Sequence, residues 1–176
     1  MIKVLVVYES VYGNTRAIAE AIAEGLDGAD VIAVSKADSI PVADLLVVGG
    51  PTHMHGLASN RSRQVAADAA KEDGTHVDPD ATAEPGLRRW LRDLPDGAGA
   101  RSAAFDTRLD KAPWFTGVAA RGIARRLRHR GYEVVATESF LVADSEGPLE
   151  AGELDRARAW GAELAPTLAA SPPAAS

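Results

Sequence analysis

Ile2-Lys3-Val4-Leu5-Val6-Val7-Tyr8-Glu9-Ser10-Val11-Tyr12-Gly13-Asn14-Thr15 begins with a nearly continuous apolar, β-branched run and stops abruptly in a short polar turn containing glycine. Such a run suits a strand covered on both faces, as in a parallel sheet. Beyond Thr15 the period changes. Ile18, Ile22 and Leu26 recur on one side, alanines fill the turns between them, and Gly28 supplies a stop, which predicts a helix. The unit is strand, tight turn, helix.

The same alternation continues downstream. Asp30 to Val34 predicts a second strand, Leu45 to Val48 a third that ends at Gly49-Gly50-Pro51, and Arg101 to Phe105 a fourth that ends at Asp106-Thr107-Arg108. Tyr132 to Val142 predicts a fifth. Helical spacing predicts a short helix around Ser62 to Lys71, a second from Gly86 to Leu94 and a third from Gly117 to Arg130 with Ile123 and Leu127 inward. The last runs from Glu150 to Leu168, with Leu154, Trp160 and Leu164 as its apolar members. Pro41 and Ala43 leave little room for a full helix between the second and third strands.

Five strands alternating with helices imply the α/β class: three layers, α/β/α, built on a doubly wound five-stranded parallel sheet with right-handed crossovers. Residues 1–168 read as a single domain with a polar insertion at about 57–85, and 169–176 as a disordered tail. The stretch Glu72 to Pro85 reads as loop, the 57–85 insertion would supply a lid over the site, and deletion of Glu72 to Glu84 is expected to leave the fold intact. In doubly wound sheets ligands bind beyond the carboxyl ends of the strands, which directs attention to residues 9–15, 50–60 and 106–116.

Composition narrows the chemistry. The 176 residues include no cysteine, which excludes thiolate-bound zinc, iron–sulfur clusters and a cysteine nucleophile. With 19 Lys and Arg against 25 Asp and Glu, the formal charge of −6 argues against a mainly electrostatic grip on nucleic acid. No apolar stretch approaches the roughly 20 residues needed to cross a bilayer, and the first strand is too short for a signal-peptide core, so a cytoplasmic protein is expected.

The Glu9–Thr15 turn has the composition of an anion nest. Successive backbone N–H groups can converge there, the following helix adds its positive end, and the Ser10 and Thr15 hydroxyls can donate to phosphate oxygens. GxxxxGK[ST] and GxGxxG are both missing, so a lone phosphate monoester fits better than a nucleoside triphosphate or a dinucleotide pyrophosphate. Asn14 and Thr15 are also good helix caps, and an ordinary capped helix start explains the same residues.

Ser10-Val11-Tyr12-Gly13-Asn14-Thr15 resembles the phosphate loop of the flavodoxin family, placed after the first strand as in that family. Val47-Val48-Gly49-Gly50-Pro51-Thr52 resembles the family's third strand running into its first flavin-flanking loop, and Phe105-Asp106 with Trp114-Phe115-Thr116-Gly117 resembles the second. The resemblance implies a strand order of 2-1-3-4-5 and non-covalent FMN. It places Ser10, Val11, Tyr12, Gly13, Asn14 and Thr15 at the phosphate. Pro51, Thr52, His53, Met54, His55 and Gly56, together with Asp106, Thr107, Arg108 and Leu109, would then flank the isoalloxazine. Family members that carry electrons usually stack an aromatic residue on each face of the ring, and neither segment here offers one. Lost stacking of about 0.5 to 1.5 kcal/mol per pair implies a weaker hold on the ring.

His53 and His55 form an HxH pair with no third ligand in reach of the pattern, so no metal is expected. They either merely hydrogen-bond or face solvent, or they lie at the flavin edge, where the backbone near His55-Gly56 would meet flavin N5. Arg108 is either paired with a surface carboxylate or a cation beside the flavin that raises its potential. Trp114 and Phe115 read as core anchors at the start of the helix, with lining of the pocket mouth as the alternative. The arginines of residues 121–130 read as a solvated helix face rather than a nucleic-acid patch.

The functional expectation is an FMN-binding redox protein that mediates electron transfer with a partner protein or a small-molecule acceptor. An NAD(P)H-dependent FMN reductase acting on quinones or similar acceptors is the alternative. A non-enzymatic module of the same fold with weak or no FMN affinity is a third.

Overall fold

The β-branched run Val4–Tyr8 forms strand β1, and every residue in it is buried. It lies between β2 (Asp30–Ala33) and β3 (Leu45–His53), parallel to both, with Val6 beside Val31 on one side and Val47 on the other. Strand β5 (Arg101–Leu109) continues the parallel sheet from β3, and β6 (Glu133–Val142) continues it from β5. The two-residue β4 (Gly56–Leu57) folds back antiparallel onto the end of β3. The sheet order is β2-β1-β3-β5-β6, which is 2-1-3-4-5 once β4 is set aside. The computed structural model describes residues 2–37, 43–53 and 56–169. Met54, His55, Pro41 and the 170–176 tail lie outside the described residues.

Helices cover both faces of the sheet. On one face Ile18 and Ile22 of α1 (Asn14–Gly25) and Trp160 and Leu164 of α6 (Glu153–Ala169) pack on Val6, Val47 and Phe105. Phe105, Phe140 and Trp160 meet edge to face, with centroids 6.1–6.5 Å apart, the arrangement that suits the aromatic quadrupole. The two helices touch backbone to backbone. A Cβ on Gly161 would overlap the Ile22 carbonyl, and one on Gly25 the Arg158 carbonyl. On the other face Leu87 and Leu91 of α3 (Leu87–Asp93) and Ile123 and Leu127 of α5 (Ala119–His129) pack on Leu5, Val7, Leu46 and Val48. No helix among the described residues is long and apolar enough to cross a membrane.

Several boundaries differ from the sequence reading. Strand β3 runs on to His53 and β5 to Leu109, because Pro51 pairs with Thr107 and Leu109 with Val142. Asp106 to Leu109 are therefore strand residues rather than a loop. Helix α5 starts at Ala119 because Gly117 takes a positive φ of 75° and Val118 is extended. That break leaves α4 (Pro113–Thr116) as an isolated turn, and Trp114, expected in the core, is 87% exposed. The Phe115 side chain lies outside the described residues. Leu154 is also exposed: the helix begins at Glu153, whose carboxylate turns inward to accept the Leu141 N–H.

The largest correction concerns the insertion. Helix α2 (Asn60–Asp73) starts at a reciprocal cap between Ser59 and Ser62 and buries Arg63, Ala67 and Ala70 along one side. The Arg63 guanidinium, 1% exposed, donates to the carbonyls of Ala81 and Ala83, to Asn60 Oδ1 and to Glu84 Oε1. Its Nε lies 3.4 Å from Glu9 Oε2, and the same oxygen accepts the Leu87 N–H at 2.7 Å. Residues 74–86 form no regular element, yet they are fastened to a buried cation and are not a detachable lid.

Removing one partner of a buried pair strands the other, at a cost of about 3–5 kcal/mol. Arg63→Ala is expected to lower stability by that amount, seen as a reduced denaturant midpoint. An unchanged midpoint would contradict the anchoring role.

Candidate functional site

The ladder leaves β1 with one more bond, Glu9 N–H to the Gly49 carbonyl, and the chain then bends through Ser10 to Gly13. Gly13 sits at φ 87°, ψ −9°, a left-handed conformation that glycine adopts without penalty. Its N–H donates to Ser10 Oγ at 3.0 Å, which closes the turn. No side chain caps α1, so its first amides point past Gly13 without the partner that a helix start normally recruits. The capped-start reading of Asn14 and Thr15 does not hold. Asn14 donates instead to the Glu146 carbonyl, and the Thr15 hydroxyl is paired with that of Thr107 at 2.7 Å.

Beyond these amides lies a cleft of about 230 Å³ at the carboxyl ends of β3 and β5. Val11, Tyr12, Asn14 and Thr15 form one wall, Pro51, Thr52 and His53 another, and Thr107, Arg108 and Leu109 a third. The three segments singled out in the sequence thus converge, although they lie far apart along the chain. Ser10 and Gly13 form the turn behind the first wall, and Gly56 sits on the folded-back strand. Asp106 is fully buried beneath the site. Its carboxylate accepts the Ala120 N–H at 2.9 Å and the Thr52 hydroxyl at 2.9 Å, so it caps α5 rather than lining the cleft. Burial holds its pKa above the ordinary value, against those hydrogen bonds.

The lining described contains no carboxylate and a single cation. Arg108 has no carboxylate partner among the described residues. Its Nη1 donates to the carbonyls of Leu109 and Lys111, and its buried Nε has no acceptor. Burial and, secondarily, the Arg63 charge push His53 below its ordinary pKa, which keeps the imidazole neutral near pH 7. The Tyr12 hydroxyl is shifted up, first by burial and then by Glu146. Among the described residues no group of three or more His, Asp or Glu side chains is arranged for a metal ion.

Other wall residues escaped the sequence reading. Ala66 of α2, Val142 at the end of β6 and Ser145 all line the cleft. The insertion also clamps the outside of the turn: Asp78 N–H donates to the Val11 carbonyl at 2.7 Å, Thr75 donates to Glu146 and the His76 ring lies against Gly13. The available signal was the small-residue stripe Ala66, Ala67 and Ala70, which lets α2 come close.

The family model described as a flavodoxin domain matches residues 5–68. A search of curated proteins finds no match. Among solved structures, Flavodoxin 2 from Bacillus cereus shares 20% identity, with 94% of this chain and 99% of that chain covered at a TM-score of 0.59. A flavodoxin from the domain Archaea shares 20% identity over 96% of this chain and 100% of that one, with a TM-score of 0.57. A flavodoxin, WrbA-like protein from Agrobacterium tumefaciens shares 21% identity over 96% and 98%, with a TM-score of 0.58.

The lowered pKa of His53 has a consequence for stability. Below its ordinary value of 6.5 the unfolded chain binds the proton more readily than the folded one, so acidification through that value favours unfolding. His53→Gln is expected to reduce the loss of melting temperature between pH 7 and pH 5. An identical pH dependence in the variant would show that the imidazole is not held neutral.

Proposed function

We propose that the protein is a flavodoxin-like domain that binds FMN non-covalently and mediates electron transfer in the cytoplasm; the family match over residues 5–68 and the strand order support the reading. The charge of the cleft carries this reading. An uncapped helix N-terminus and Arg108 face a pocket lined by no carboxylate, in a chain whose net charge is −6. Such a pocket selects an anion.

The residues fit the phosphate end. The amides at the start of α1 and the hydroxyls of Ser10 and Thr15 would hold the phosphate, and Asn14 and Tyr12 would border it. The ring end is narrower. Pro51, Thr52, His53, Thr107, Arg108 and Leu109 border it, and about 230 Å³ falls below the roughly 300–1,000 Å³ common for small-molecule sites. Full seating therefore requires the α2 wall or the β3–β4 hairpin to give. FMN, when bound, supplies the redox chemistry. Arg108 would favour negative charge at its edge of the ring, and neutral His53 can donate or accept one hydrogen bond there.

The electron partner is either a redox protein or a small-molecule acceptor. The presence of Ala66 in the cleft wall supports the second, since α2 encloses the ring position on a side where a protein carrier would dock. That version of the reading is an NAD(P)H-dependent reductase of quinones or similar acceptors.

Titration into FMN, followed by flavin fluorescence, tests the assignment. Ser10→Ala and Thr15→Ala are each expected to weaken binding by about 1–3 kcal/mol through lost hydrogen bonds to a charged group. Arg108→Gln is expected to weaken it in the same direction. Unchanged affinity in all three would remove the phosphate assignment, and no quenching by the wild type would favour a module without the cofactor. Bleaching of the yellow holoprotein by NAD(P)H within minutes would select the reductase.

A further inference from the structure

On the face opposite α1 and α6, a second cavity of about 360 Å³ is walled by Arg88 of α3 and by Arg121, Arg125 and Arg126 of α5, with Gly56, Leu57 and Val118 at its edge. No acidic residue lines it. Among the described residues none of these four guanidinium groups takes part in an ion pair, although the chain carries more Asp and Glu than Lys and Arg. Arginines scattered on a solvated helix face normally meet i±4 or cross-helix carboxylates, as Arg16 does with Glu20 and Arg158 with Glu24 here. Four that meet one another instead are repelled in the absence of an anion.

Two of the four are held in place by the backbone. Arg88 donates through Nε to the carbonyls of Leu57 and Ala58, at 2.8 and 2.9 Å, which fixes it beside β4. Arg126 donates to the Gly122 carbonyl at 3.0 Å. Gly122 forms part of the lining, and a Cβ there would stand 3.4 Å from the Arg126 guanidinium. Arg126 is half-buried, and its proton affinity is lowered by that burial and then by the charges of Arg88 and Arg125. Arg121 and Arg125, one turn apart, are both exposed and line the cavity.

We propose that this cavity binds a diphosphate group, carried by a nucleoside diphosphate or present as inorganic pyrophosphate. The space exceeds the needs of one small monovalent anion, and planar guanidinium groups match phosphate oxygens bidentately. A concave site favours a small ligand over a nucleic-acid strand, because no aromatic side chain lines it to stack a base. The β3–β4 hairpin borders both this cavity and the cleft, but the diphosphate site stands whether or not the cleft holds flavin.

Calorimetric titration of the full chain with inorganic pyrophosphate and, separately, with ADP tests the proposal. Saturable binding is expected, weakened at least tenfold in Arg121→Gln/Arg125→Gln and unchanged in Thr15→Ala. Because both arginines are exposed, the double variant should keep the wild-type melting temperature, which a parallel melt verifies. Tighter binding of ADP would mark the nucleotide as the ligand, and equal affinities would mark the free diphosphate. Three results would overturn the proposal: no binding of either probe, binding lost in Thr15→Ala but kept in the arginine variant, or a single-stranded oligonucleotide binding far more tightly through the same arginines.

Discussion

The buried guanidinium of Arg63 is the constraint on which the architecture around the site depends. A cation at 1% exposure needs its charge and its donors answered inside the protein, and here acceptors for the Nη donors come from α2 and from residues 81–84, while the Glu9 carboxylate at the end of β1 pairs with the charge, its Oε2 3.4 Å from Nε. Glu9 in turn accepts the first N–H of α3. One side chain thus ties the insertion and the start of α3 to the residue that precedes the anion-binding turn. Burial raises the Glu9 pKa, against the lowering effects of the Leu87 N–H and the Arg63 charge. Through Ala66 and Asp78 the same insertion shapes the wall of the cleft and the outer side of Val11.

Charge is segregated against the net balance. The chain is acidic overall, yet the cleft at the carboxyl ends of the strands and the arginine-lined cavity beside α5 are each lined without a carboxylate. Asp106, buried within β5 beside the cleft, turns its carboxylate to the N-terminus of α5 rather than into the pocket. Arg108 is left as the charged side chain that lines the pocket. Neutral His53 adds hydrogen-bonding capacity without adding charge.

Strand and helix types were readable because each depends on a local period: β-branched runs for the sheet, and Ile18–Ile22 or Ile123–Leu127 spacing for the helices. The turn from Ser10 to Thr15 was readable for a related reason. A nest of amides needs a glycine with positive φ between a strand and a helix, and Gly13 supplies it. Helix α2 was foreseen, but its buried face was not, since an arginine at Arg63 reads as solvated until its acceptors are known. Trp114 failed in the opposite direction. Its size argues for the core, but Gly117 and Val118 break the helix that would have turned it inward.

The amino-acid sequence by itself determined the α/β class, the strand order by resemblance and the segments that supply the cleft, because these follow from patterns only a few residues long. Only the tertiary structure decided what those segments touch. Asp106 went to a helix end and to Thr52, Arg88 to the Leu57 carbonyl beside the α5 arginines, and Arg63 to residues 81–84, through partners distant in the chain. Burial and pairing energies depend on distances in space, and no local pattern encodes them.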